Sequence, residues 1–137
     1  MKMIKGCCYW TDDIPSTEAP HYIVISSDTL PDGLVLVVAI SSIKYNERGE
    51  EKFHDTACEL SVDDIKTESG GRVLSKASFI RYQYALELYE KDIIERTFSG
   101  RYQFKCRISN DLLRRIQEGA IKSRELSPRY KRKYFGF

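Results

Sequence analysis

Apolar residues in the first two-thirds of this chain fall in short runs or at alternate positions, and helical spacing emerges only towards the end. Period-two alternation and short unbroken apolar runs bounded by turn residues read as strands, whereas an i, i+3, i+4 stripe reads as a helix. Gly6 to Trp10 is the first predicted strand, followed by a polar, acid-rich, proline-containing loop from Thr11 to Pro20. That loop is long for a compact domain, the kind of place where functional loops occur. His21 to Ser26 is β-branched and predicts a buried strand, and Pro31-Asp32-Gly33 supplies turn chemistry. Leu34 to Ser41 is the most apolar segment and predicts the central strand.

Lys44 to Asp55, charged and carrying Asn46 and Gly49, reads as an exposed loop or irregular hairpin. Thr56 to Leu60 predicts a short strand, Ser61 to Lys66 a turn or helix start, and Ser69-Gly70-Gly71 a break. From Ser78 onward Ile80, Tyr82, Tyr84, Leu86 and Leu88 alternate with Arg81, Gln83, Ala85 and Glu87, which predicts one half-buried strand with a single apolar face. Glu90 to Ser99 switches to a short helical pattern through Ile94 and Phe98, closed by Gly100. Arg101 to Cys106 is a last short strand. Ser109 then offers an N-cap to a helix whose stripe is Leu112, Leu113, Ile116 and Ala120 and which ends before Pro128. The sum is mainly β with α: a small β-barrel with a short helix and a C-terminal helix over residues 1–125, followed by a basic tail over 126–137.

At 137 residues and 42% apolar content the chain has material for one core. No apolar run approaches the roughly 18 to 20 residues of a membrane span, and the start of the chain lacks the apolar segment of a signal peptide, which predicts a cytoplasmic protein with no membrane association. Cys7 and Cys8 are adjacent, Cys58 and Cys106 isolated, and no CxxC spacing exists, so reduced buried thiols are expected. Neither His21 nor His54 stands in a zinc-ligand spacing, and no metal or other cofactor is expected. Charge is uneven within the net +2: Lys122, Arg124, Arg129, Lys131, Arg132 and Lys133 face Glu125 alone, a pattern suited either to phosphate contact or to an ordinary solvated end.

The fingerprints of common hydrolases, nucleotidases and dehydrogenases are missing, so any chemistry must come from polar residues assembled across strands. The best cluster is His21, Ser41, Ser42, Lys76, Ser78 and Arg81, each at the end of or inside a predicted strand. Each also has an ordinary reading: a hydrogen-bonded surface histidine, serines that bind backbone at a strand end, solvated cations. Tyr82, Tyr84, Tyr89 and Tyr102 could stack on bases or simply pack.

The order of segments resembles the MazF/PemK-like toxins of toxin-antitoxin systems. The resemblance rests on Lys5-Gly6-x-x-Tyr9-Trp10, on His21 to Ser26, on Val37-Val38-Ala39-Ile40-Ser41-Ser42, on Asp55 to Leu60, on Ser75 to Tyr82 and on the helix Ser109 to Gly119. It implies an SH3-like barrel and a metal-independent endoribonuclease that cuts single-stranded RNA by activating the ribose 2′-hydroxyl, a homodimer, and an antitoxin protein as partner. The family's catalytic hydroxyl falls on Ser41 or Ser42. Its arginine at the start of the second strand has no counterpart, because Pro20-His21 stands there. His21 is then the acid or base, with Arg81 or Lys76 holding the phosphate and Arg129, Lys131 and Arg132 adding backbone contacts. Two other readings stay open, a non-catalytic nucleic-acid-binding barrel and a protein-interaction barrel.

Overall fold

The structure, a computed structural model, describes residues 4–14 and 19–136. The middle of the predicted Thr11–Pro20 loop, residues 15–18, lies outside them. The elements are β1 (Cys7–Thr11), β2 (His21–Ile25), β3 (Leu34–Ser42), β4 (Glu59–Leu60), β5 (Ser78–Tyr89), α1 (Glu90–Phe98), β6 (Gln103–Arg107), α2 (Asn110–Lys122) and α3 (Pro128–Phe135). The strands form one antiparallel sheet in the order β4-β5-β3-β2-β1-β6, curled into half a barrel. β3 lies between β2 and β5, and its residues from Val35 to Ile40 are almost wholly shielded from solvent.

Alternation along β3 sends Leu36, Val38 and Ile40 into one core, and Val35, Val37 and Ala39 into another on the opposite face. The first core is closed by α2, which contributes Leu112, Ile116 and Ala120; the second is closed by Ile93 of α1 together with Ile4 and Ile14. Burying a side chain of this size contributes roughly 1.5–3 kcal/mol, so both faces of the curled sheet hold the fold together.

β5 departs from its predicted single apolar face. Val37 pairs with Leu86 but Ala39 pairs with Arg81, so two steps along β3 match five along β5. The three extra residues are an odd number, and an odd slip exchanges the faces of everything beyond it. Ile80 and Tyr82 therefore join the core under α2, whereas Tyr84, Leu86 and Leu88 pack on the other side.

The helices differ from expectation in two places. In α1 the buried residue is Ile93, and Phe98 is exposed. Thr97, one turn after Ile93, donates its hydroxyl to the Ile93 carbonyl at 2.8 Å. Gly100 takes the left-handed conformation (φ 83°) expected of a helix terminator. The predicted basic tail contains a third helix, α3, started by the Ser127 hydroxyl accepting from the Tyr130 amide, with Pro128 in the first turn. Tyr130, Tyr134 and Phe135 lay its apolar side on the core beneath α2. Glu87, which the face exchange turns towards α3, accepts from Lys133 Nζ at 2.6 Å and from the Tyr134 hydroxyl at 2.7 Å, and Lys133 also reaches Asp32 at 3.4 Å. Burial alone would raise the Glu87 carboxyl, but Lys133, Tyr134 and Arg129 outweigh it and hold the group below its ordinary value.

Tyr82 ties the sheet to α2: its buried hydroxyl donates to the Ile116 carbonyl at 2.6 Å, directly under Gly119. A methyl group at Gly119 would lie 2.5 Å from that hydroxyl and 2.9 Å from the Ala57 carbonyl oxygen. All four cysteines are free and buried, with Cys8 and Cys106 directly opposed across β1 and β6. Among the described residues no helix is long and apolar enough to cross a membrane.

Two outcomes follow from this packing. Gly119→Ala, which would favour an isolated helix by up to about 1 kcal/mol, is expected instead to destabilise the protein by about 1–3 kcal/mol in urea unfolding. A neutral or stabilising result would mean that α2 does not press on Tyr82 and Ala57 as described. For Glu87, a carboxyl depressed in the folded state contributes stability that is present above its ordinary value of 4.5 and is lost as pH falls through the lower folded value. Proteolytic cleavage within α3 should therefore rise on acidification, and Glu87→Gln should raise it already at neutral pH. Equal protection in that variant would remove Glu87 as the anchor.

Candidate functional site

β1 and β3 end, and β2 and β5 begin, at the same end of the sheet, and the chain leaves a cleft of about 710 Å³ there. His21, Ser41, Ser42, Lys76, Ser78 and Arg81, from three separate stretches of sequence, all line it. Arg129, Lys131 and Arg132 do not. Arg129 lies 3.6 Å from Glu87, Lys131 donates to the Ser123 carbonyl at 2.6 Å, and Arg132 faces solvent from α3.

His21 opens β2 directly after Pro20, and its Nδ1 lies 2.7 Å from the Ala19 carbonyl oxygen. Because a carbonyl only accepts, Nδ1 carries the proton, and in the neutral ring Nε2 holds the lone pair. Tyr22 pairs with Ile40, so the register sets His21 beside Ser41 one step further along. The ring of Tyr84 meets His21 edge-on at 6.2 Å, and the Arg81 guanidinium lies over the Tyr84 ring at 4.2 Å. A cation held over an aromatic face is fixed in position while its N–H groups stay available to an anion. This grouping depends on the three extra residues of β5, which bring Arg81 and Tyr84 to one face.

Ser41 is 93% buried by residue, its exposure being 7%, and its hydroxyl has no hydrogen-bond partner among the described residues. A buried hydroxyl without a partner costs about 1–3 kcal/mol, which a bound polar group would relieve. Ser78 behaves differently, donating its hydroxyl to the Lys76 carbonyl at 2.9 Å and so shaping the turn into β5. Of these two serines, Ser41 has hydrogen-bonding capacity left to offer and Ser78 is engaged in structure.

Among the described residues, Lys44, Lys52, Lys76 and Arg81 line the cleft against Asp55 and Glu125, an excess of positive charge. Trp10, Tyr22, Phe53 and Phe79 add aromatic surface. The tyrosines marked in the sequence as possible stackers separate: Tyr82 and Tyr102 are buried, Tyr89 lies at the far end of β5, and Tyr84 alone of the four belongs near the cleft.

His54 is a cleft residue that sequence reasoning missed. It is buried, its ring packs on Phe79 at 5.1 Å between centroids, its Nε2 meets Glu59 at 3.1 Å, and its Nδ1 meets the Lys52 carbonyl at 3.3 Å. Acceptors at both nitrogens favour the doubly protonated ring. The Glu59 hydrogen bond raises its pKa above the ordinary value, against the opposing effect of burial. His54 thereby anchors the base of the hairpin predicted over Lys44 to Asp55, which the structure closes through Tyr45 and Glu51 and through Asn46 accepting from the Arg48 and Glu50 amides. No motif spacing joins His54 to Glu59, so the sequence carries no signal for this anchor. Among the described residues no three His, Cys, Asp or Glu side chains converge as a metal site would need.

No protein-family model, curated protein or solved structure matches the chain.

The His54 arrangement sets a pH dependence. A histidine raised in the folded state contributes stability that is fully present below its unfolded pKa, about 6.5, and is lost as pH rises through the higher folded value. In an NMR titration the His54 ring should titrate above 6.5 and return towards it in Glu59→Gln. An unchanged titration in that variant would remove Glu59 as the cause.

Proposed function

We propose that this protein binds single-stranded RNA in the cleft and cleaves it without a metal ion, as the resemblance to MazF/PemK-like toxins implies. The observation that carries the proposal is the meeting of a histidine, an unpartnered buried serine hydroxyl and an aromatic-held arginine in one positively charged cleft. Phosphodiester cleavage through the 2′-hydroxyl needs a base for that hydroxyl, donors for the phosphate oxygens and a proton for the leaving oxygen.

The geometry supports the following roles. Nε2 of His21 accepts the 2′-hydroxyl proton, and O2′ forms its bond to phosphorus as the P–O5′ bond breaks. The products are a 2′,3′-cyclic phosphate and a 5′-hydroxyl, the latter protonated by water at the open mouth of the cleft. Arg81, held over Tyr84, and the Ser41 hydroxyl donate to the phosphate oxygens as charge builds on them, and Lys76 adds positive charge. His21 thus occupies the place at the start of the second strand where the family carries an arginine, and Arg81 supplies a guanidinium from a different strand. DNA lacks the attacking hydroxyl and would bind without being cut. The homodimer and the antitoxin partner belong to this proposal through the resemblance alone.

The missing family arginine favours one second reading, a barrel that binds nucleic acid in the same cleft without cutting it. The deciding experiment incubates purified protein with a long single-stranded RNA in EDTA at moderate salt, beside His21→Ala, Arg81→Ala and a Ser41→Ala/Ser42→Ala double variant. Cleavage with cyclic-phosphate ends is expected from the wild type, reduced by about 10²–10⁴-fold in His21→Ala. Folded wild-type protein that binds RNA and leaves it whole would replace the ribonuclease by the binding barrel.

A further inference from the structure

Two features of the cleft are left unused by phosphate chemistry. The first is Phe53, 91% exposed at its rim. Its exposure is enforced rather than incidental. The next residue, His54, is buried and held by Glu59, while the Lys52 amide donates to the Lys44 carbonyl at 2.8 Å, so the chain on both sides of Phe53 is fixed and its ring is turned outward. A large aromatic held outward by a braced hairpin at the cleft rim, with Lys44 and Lys52 lining the same cleft, offers a flat apolar face beside cations.

The second is the pair Trp10 and Tyr22, directly opposed across β1 and β2 with ring centroids 4.6 Å apart, each partly exposed and each lining the same cleft. An aromatic pair on the sheet and an aromatic tip on the hairpin, with lysines beside them, reproduce the two requirements of a single-strand groove: flat apolar faces for bases and cations for the phosphates between them.

On the reading that the cleft takes a nucleic acid strand, we infer that Phe53 and the Trp10–Tyr22 pair are nucleobase-stacking platforms, so that the protein grips a single strand by its bases as well as by its backbone. Stacking is indifferent to which base is present; the platforms set affinity and select unpaired strands, since a duplex keeps its base faces covered.

Trp10 is the only tryptophan of the chain, so its emission reports contact at one platform. The full-length protein is titrated with a 2′-O-methyl RNA strand of about ten nucleotides, which cannot be cut, and with an abasic phosphodiester strand of the same length. The base-bearing strand is expected to quench Trp10 and to bind about tenfold more tightly than the abasic strand. Phe53→Ala should remove most of that advantage, and Phe53→Tyr should keep it; Phe53 is too exposed for either change to disturb folding. Equal binding of the two strands, or an advantage untouched by Phe53→Ala, overturns the stacking role while leaving the nucleic-acid reading in place. Tight binding with unmoved Trp10 emission overturns the part given to Trp10 and Tyr22. Binding of neither strand overturns both the platforms and the proposed function.

Discussion

The pairing of β3 with β5 is the constraint on which the rest of this structure depends. Had it run in one register from end to end, the apolar alternation of β5 would have fallen on a single face, and the other face of the sheet would have lacked its partners. Three extra residues between Arg81 and Leu86 exchange the faces midway. Half of the strand then feeds the core under α2 and half the core under α1, and Glu87 is turned towards the helix that needs a carboxylate. The same irregularity stacks Arg81 on Tyr84 at the rim of the cleft. An irregular strand segment next to a candidate site is the usual place for such a device, because it re-aims side chains without ending the pairing.

The cleft itself is made by strand ends. His21, Ser41, Ser42, Ser78 and Arg81 sit at or near the ends of strands that are buried and tightly held, so the sheet fixes their positions and the ends supply the chemistry. Ser41 shows the consequence: one residue beyond the buried Ile40, its hydroxyl is still shielded from solvent yet finds no hydrogen-bond partner among the described residues. The hairpin from Lys44 to Asp55 works on the opposite principle. It has little apolar content and is braced by Asn46, by the Tyr45–Glu51 bridge and by the His54–Glu59 pair.

Much of this was legible in the sequence because local chemistry and tertiary context agree there. The apolar runs of β2 and β3, the Ser109 cap of α2 and the turn at Pro31-Asp32-Gly33 each satisfy a local rule, and the elements form accordingly. The face exchange in β5 was not legible, since perfect alternation in sequence carries no mark of where pairing slips. In α1 the spacing of Ile94 and Phe98 is as helical as that of Ile93 and Thr97, and only the neighbouring sheet decides which faces inward. For α3 a signal existed in Ser127-Pro128 and the four-residue spacing of Tyr130 and Tyr134, but six cations in the last sixteen residues outweighed it. In the candidate site, the gathering of His21, Ser41, Ser42, Lys76, Ser78 and Arg81 followed from reading strand ends, whereas His54 and Phe53 depend on how an exposed hairpin folds back.

The strand order bears on how the chain reaches this state. β1, formed near the start, has β6 as one neighbour, and β6 begins only at residue 103. β3 likewise waits for β5 across the whole hairpin and turn region between Ser42 and Ser78. Pairings so distant in sequence close late and slowly compared with local ones. During synthesis, which proceeds from the N-terminus, β2 and β3 can pair early, but their cleft-side ends must wait for Arg81 and Tyr84, and the core under α2 must wait for Leu112 and Ile116. The nascent chain thus carries a half-built sheet with open edges until β6 and α2 have been made, and the cleft cannot take shape before Arg81 and Tyr84 arrive.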